Sequence, residues 1–173
     1  AYIDEFYSGY GGVGAPPPSQ PSPTYPKILI SEIQIAGKNA EGKELPKEDF
    51  VELYNPNNED IDLTNWYLQR KTKTGSDFLT YASKNLLSGK IIKVKNYFLI
   101  ANASSSFLAD ATTTYPLTKD NTLVLRNPNK EIVDKVGWGQ AQDFETATTS
   151  NPNPSQSIGR KWSTTTEGYF DTD

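Results

Sequence analysis

The sequence predicts an all-β protein, a Greek-key β-sandwich of about seven to nine short strands. Three observations predict it. Short runs rich in Val, Ile, Leu, Tyr and Phe alternate apolar and polar residues and are separated by Gly, Asn and Pro turns. No window sustains helical spacing. The 173 residues include 12 Gly, 12 Pro, 3 Trp, 10 Tyr and 7 Phe, a mix that favours strands and tight turns. A closed barrel is the structural alternative.

Residues 1–14, "AYIDEFYSGYGGVG", are aromatic and Gly-rich with no clean period, and 15–26, "APPPSQPSPTYP", read as a polyproline-type linker. Residues 1–26 are therefore expected to be a flexible spacer, or else a sticky aromatic segment that docks on a partner or on the domain. The folded domain is expected over 27–173. "ILISEIQI" (28–35) is the first strand, with Leu29, Ile33 and Ile35 on one face and Glu32 and Gln34 on the other. After a polar loop, "DFVELYN" (49–55) turns Val51 and Leu53 one way and Phe50, Glu52 and Tyr54 the other.

"YNPNNEDIDLTNW" reads as a rigid corner between two sheets. Pro56 fixes its own φ and holds Asn55 extended. Asn57, Asn58 and Asp60 can fold their side chains onto backbone groups. Ile61 and Leu63 are apolar pegs, and Trp66 is expected to be buried with its indole N–H hydrogen-bonded. "WYLQRK" restarts the chain, and "FLTY" (78–81) is a short strand. A buried strand centres on Phe98, Leu99 and Ile100. Residues 121–139 form a hairpin with Leu123 and Leu125 inward and Ile132, Asp134 and Val136 on one face. An aspartate there implies a sheet edge, a bulge or a polar partner. A long loop covers 140–155, and "QSIGRKW" (156–162) offers one more strand.

Composition removes several chemistries. The chain has no Cys and no His, which excludes disulfides, Cys-based zinc sites, imidazole ligands and His-dependent nucleophiles. The net charge of −4 opposes binding to phosphate backbones. No apolar run is long enough to span a bilayer. The lack of any Met suggests a trimmed chain.

Four stretches carry a resemblance: "ISEIQIAG", "DFVELYNPNNEDIDLTNWYL", "TLVLRNPNKEIVDKVGWG" and "NPNPSQSIGRK". Together they resemble the lamin tail domain, in wording closest to its bacterial exported versions, over about residues 28–162. The resemblance implies an immunoglobulin-like sandwich. It also implies an accessory module for attachment or interaction, with no established catalytic residues. Bacterial versions commonly continue past "GYFDTD" with an Asn- and Asp-rich tail, so the chain is expected to be cut near Asp173. The coiled-coil rod of nuclear lamins is replaced by the Pro-rich linker.

Several side chains invite chemistry. Glu52, Asp60 and Asp62 suggest paired carboxylates for glycoside hydrolysis, against the plainer reading of a strand residue and two turn formers. Asp171 and Asp173 suggest the start of a Ca²⁺ loop, with Asp143 and Glu145 as further oxygens, against a solvated terminus. Lys84, Lys90, Lys93 and Lys95 beside Tyr97 and Phe98 suggest a nucleic-acid surface, against an edge-protecting lysine row. Trp138 suggests a sugar or partner platform, against a core cap.

The expectation is a non-catalytic interaction or anchoring module of an exported or cell-surface bacterial protein. It has no catalytic or metal residue and no cofactor, Ca²⁺ being the one candidate. The expected partner is a protein or envelope component, with polysaccharide as a second class and nucleic acid disfavoured. The alternatives are an accessory domain of a hydrolase or nuclease using carboxylates and Ca²⁺, or a nucleic-acid-binding module.

Overall fold

The computed structural model describes residues 24–165 and 168–169. In chain order the elements are β1 (Leu29–Gln34), β2 (Gly37–Lys38), β3 (Glu44–Leu45), β4 (Phe50–Tyr54), β5 (Ile61–Asp62), β6 (Tyr67–Thr72) and β7 (Leu79–Ala82). They continue with α1 (Lys84–Leu87), β8 (Ile91–Ile92), β9 (Tyr97–Asn102), β10 (Ala111–Thr113), β11 (Asn121–Arg126) and β12 (Ile132–Gly137). The last are β13 (Ser157–Gly159), β14 (Trp162–Ser163) and β15 (Gly168–Tyr169).

Nine strands build an immunoglobulin-like sandwich. One sheet runs β10-β9-β4-β1-β13 and the other β12-β11-β6-β7. The chain changes sheet after β4, β7, β10 and β12. β10 pairs with β9 in parallel, whereas the other pairings are antiparallel. The short α1 is capped by Ser83, whose hydroxyl accepts the Leu86 N–H at 3.2 Å, and it buries Leu87.

The core follows the alternation with two corrections. Val51, Leu53, Leu123 and Leu125 all point into it, as expected. In β1 the register shifts between Ile30 and Glu32, a bulge at Ser31. The extra residue reverses the alternation, so Ile28 and Ile30 join Ile33 and Ile35 in the core cluster and Leu29 does not. In β12 a second bulge falls between the Asp134 and Ile132 pairings. It turns Val133 against the core and leaves Ile132 exposed, so Ile132 does not share the face of Asp134 and Val136.

Asp134 meets all three sequence expectations: an edge strand, a neighbouring bulge and polar partners. It is buried and accepts the Ile30 N–H at 2.5 Å and a hydrogen bond from Arg160. Arg160 in turn donates through Nε to the Ile30 carbonyl at 3.2 Å. β12 and β1 lie in different sheets, so this pair joins one sheet to the other at the β1 bulge.

The corner is fastened by Asn55 more than by its neighbours. Buried Asn55 donates through Nδ2 to the carbonyls of Glu59 (2.7 Å), Ile92 (3.2 Å) and Lys93 (3.1 Å). Its Oδ1 accepts from the Asn57 backbone N–H at 2.9 Å. Ile61 and Leu63 are buried as pegs. Trp66 is 1% exposed, and the Tyr25 ring packs edge-on against it at 6.0 Å. Its indole N–H has no hydrogen bond to a described residue, contrary to expectation, and the residue borders a surface depression with Tyr25, Asp60 and Pro128. The hydrogen-bonded indole is that of Trp138, which donates to the Thr118 carbonyl at 2.8 Å.

Asp49, just before β4, is a strongly shifted carboxyl. Burial pushes it up to about 6, against the opposing effect of the Leu117 N–H, which it accepts at 2.9 Å, and of Asn102 and Arg70. Its other oxygen and the buried Tyr81 hydroxyl have no partner among the described residues.

Two predictions follow from this packing. Trp66→Ala should cost about 3 to 5 kcal/mol in equilibrium denaturation, and Trp66→Phe clearly less. A loss under about 0.5 kcal/mol for the alanine variant would remove Trp66 from the core account. For Asp49 the folded value lies above the ordinary 3.8, so its contribution is fully present below about pH 4 and is lost as pH rises through about 6. Asp49→Asn, which keeps the acceptor for Leu117, should therefore gain on the parent by on the order of 2 kcal/mol between pH 4 and pH 7.5 in urea titrations. A difference constant across that range would refute the shift.

Candidate binding groove

The outer face of the five-stranded sheet gathers aromatic side chains at one end. Alternation in β4 sends Tyr54 outward while Leu53 goes in, and alternation in β9 does the same for Tyr97 and Phe98. Tyr54 and Tyr97 are register partners, with ring centroids 5.0 Å apart. β14 and β15 pair Trp162 with Tyr169 and bring both onto this face. Their rings meet at 5.1 Å and 90°, and Tyr169 lies 5.1 Å from Tyr54. The Tyr97 and Tyr169 hydroxyls are 3.1 Å apart.

Tyr54, 3% exposed, is the floor of an open groove of about 570 Å³. Tyr97 and Trp162, 42% and 47% exposed, are its walls, and Lys95 and Thr164 complete the lining. Burial and the neighbouring Tyr97 hydroxyl push the Tyr169 hydroxyl above its ordinary range, and Glu52 and Glu32 add to the shift. Burial does the same for Tyr54. Both hydroxyls therefore stay protonated at neutral pH. The groove is apolar in body and rich in donors at its rim: Lys95 Nζ, the Trp162 indole and the hydroxyls.

The expected carboxylates are not brought together. Glu52 faces Glu32 across β4 and β1 and accepts the Ser31 hydroxyl at 2.7 Å. Burial and Glu32 push the Glu52 carboxyl up, and Ser31 partly offsets them. Asp60 accepts from the Val94 N–H (3.0 Å) and Lys93 Nζ (2.8 Å). Asp62 accepts from the Thr64 N–H (2.8 Å) and hydroxyl (2.6 Å). These bonds hold both Asp carboxyls below the ordinary range, as suits turn formers.

Asp143 pairs with Lys135 at 2.7 Å, and Glu145 lies 3.8 Å from Arg160. Asp171 and Asp173 fall outside the described residues. No group of three or more metal-ligating side chains occurs among the described residues.

The four lysines do not form a common row. Lys84 lies over the Tyr67 ring, Lys90 donates to the Asp110 carbonyl, Lys93 pairs with Asp60, and Lys95 donates to the Pro56 carbonyl at 2.5 Å. Trp138 is fully buried in the core cluster, which rules it out as a platform. The exposed Trp of this protein is Trp162, which sequence reasoning did not single out. The available signal was the outward phase of Tyr54 and Tyr97 on neighbouring strands.

No helix among the described residues is long and apolar enough to cross a membrane. No curated protein matches the chain. The lamin tail domain family model matches residues 21–140, from before β1 through β12, leaving β13 and the Trp162 segment beyond the matched span. With that match across most of its length and an immunoglobulin-like sandwich beneath it, the chain belongs to the lamin tail domain family.

Proposed function

We propose that this domain is a non-catalytic interaction module of an exported or surface-attached bacterial protein, and that it holds a protein partner in the aromatic groove. The observation that carries the reading is the pair of half-exposed walls, Tyr97 and Trp162, over the buried floor of Tyr54. Large rigid aromatics with polar tips contribute contact area at low entropic cost, which suits a binding face. Membership of a family of immunoglobulin-like interaction modules supports the same role.

Carboxylate hydrolysis has less support. Asp60 and Asp62 are committed to the corner by their hydrogen bonds to Val94 and Thr64. Nucleic-acid binding is opposed by the net charge of −4 and by lysines turned to local acceptors. The Pro-rich segment would serve as the stalk that displays the domain, and the reading requires no cofactor.

Trp162→Ala and Tyr97→Ala test the groove directly. Each should cost about 1 kcal/mol of stability or less, because these rings are half in solvent. Each should also lower retention on an immobilised bacterial envelope fraction at least tenfold relative to the parent. Equal retention by parent and variants would overturn the groove as the binding face.

A further inference from the structure

We propose that the depression beside Trp66 is a binding site separate from the aromatic groove, and that it takes a neutral carbohydrate. The observation that carries the proposal is a donor without a partner. Trp66 is 1% exposed, yet its indole N–H bonds no described residue. Among the described residues, the sealed side-chain atoms that lack a partner belong to Asp49, Arg70, Tyr81, Asn102 and Ser105. The Trp66 N–H is therefore not sealed in, and it faces the depression that Trp66 lines. A buried indole N–H normally finds an acceptor, so this one is set to receive an acceptor from outside the fold.

Three fixed pieces of backbone shape the depression. The corner is held where Asn55 donates to the Glu59 carbonyl at 2.7 Å, Asp60 accepts the Val94 N–H at 3.0 Å and Asp62 accepts the Thr64 N–H at 2.8 Å. The turn between β11 and β12 contributes Pro128. The entry of the chain contributes Tyr25, whose ring stands edge-on to Trp66 at 6.0 Å, and Asn57 fixes that entry by donating to the Lys27 carbonyl at 2.7 Å. The open volume of about 460 Å³ falls in the range of small-ligand clefts. A rim held by the fold itself needs little ordering when a ligand arrives.

The lining selects the ligand class. Glu59, Asp60 and Asp62 line the depression, and no Lys or Arg does. Lys93 reaches Asp60 at 2.8 Å, but both Glu59 oxygens and Asp62 Oδ2 accept nothing from a described residue. An anionic ligand would meet these carboxylates and be repelled. A metal ion or an ammonium group would have no acceptor to offer the indole N–H. A hydroxyl has both capacities, donating to a carboxylate and accepting from an N–H. A sugar carries several hydroxyls around its ring, and its C–H faces suit the Tyr25 and Pro128 walls. A peptide offers one N–H per residue, fewer donors than the open carboxylate oxygens can take.

The test follows the indole N–H resonances of the three tryptophans while the full chain is titrated with cellotetraose, chitotetraose and maltotetraose. In the free protein the Trp66 N–H should exchange with water faster than that of Trp138, which the Thr118 carbonyl holds. A sugar should move the Trp66 resonance saturably and slow its exchange, while Trp138 and Trp162 stay in place. Glu59→Gln and Asp62→Asn replace exposed carboxylates and should each weaken binding about threefold or more, since a charged acceptor becomes a neutral one. Trp66→Phe, shown to be folded by unmoved Trp138 and Trp162 signals, should lose the sugar-induced shift of the Asn65 amide.

The proposal is overturned if no sugar moves Trp66 at up to about 10 mM, where a site of about 1 mM affinity is about nine-tenths filled. It is overturned equally if all three variants bind as the parent does, or if the sugars move Trp162 instead and so occupy the groove. If acetyl-tetraalanine amide moves Trp66 and no sugar does, the depression is a peptide site and the carbohydrate assignment fails.

Discussion

The sandwich is tied together by one buried ion pair, Asp134 with Arg160. Taking both charges out of water costs several kcal/mol each, and the pair is tolerable only if every remaining polar valence is met. Here the valences belong to the backbone of Ile30. Asp134 accepts its N–H, and Arg160 accompanies its carbonyl through Nε. The bulge in β1 and the ion pair are therefore one feature. The bulge sets the core phase of Ile28 and Ile30, and the charges stabilise the backbone where the ladder slips. Because Arg160 directly follows β13 while Asp134 sits in β12, the same contact fastens the last strand of one sheet to the edge of the other.

Amide side chains secure the turns as this pair secures the sheets. Asn55 binds three carbonyls of the corner. Asn127 closes the β11–β12 hairpin by accepting the Glu131 N–H at 3.0 Å and donating to its carboxylate at 2.6 Å. Asn151 both accepts the Asp120 N–H and donates to its carboxylate, each at 2.9 Å. Each Asn precedes a Pro, which holds it extended so that its amide can face backbone rather than solvent. Gly139 belongs to the same device: its φ of 63° and the closeness of Asn151 and Asp120 leave no room for a Cβ. With the turns fixed, the outward phase of β4 and β9 is fixed too, and the aromatic groove follows from it.

Much of this was legible in the residues because alternation reports which face a strand buries. Val51, Leu53, Leu123, Leu125 and the corner pegs all read correctly, and a lone Asp in a hairpin strand pointed to a bulge and a partner. The bulge in β1 and the exact place of the one in β12 were not legible, since an inserted residue leaves no mark on the pattern beyond reversing it, and Leu29 and Ile132 were misplaced for that reason. β10 was missed because three residues pairing in parallel have no turn signal of their own. The groove was hidden for another reason. Its four rings come from β4, β9, β14 and β15, and only the sheet order brings them together.

The central claim is that Asp134 and Arg160 act as one unit on which the joining of the sheets depends. A double-mutant cycle tests it most directly, with Asp134→Ala, Arg160→Ala and the combined variant followed by urea unfolding. Either single substitution removes a close charge partner from a buried group, so the account predicts about 3 to 5 kcal/mol for each, a double variant far short of their sum, and a coupling of about 2 kcal/mol or more. A coupling under about 0.5 kcal/mol, with the two losses simply adding, would contradict it.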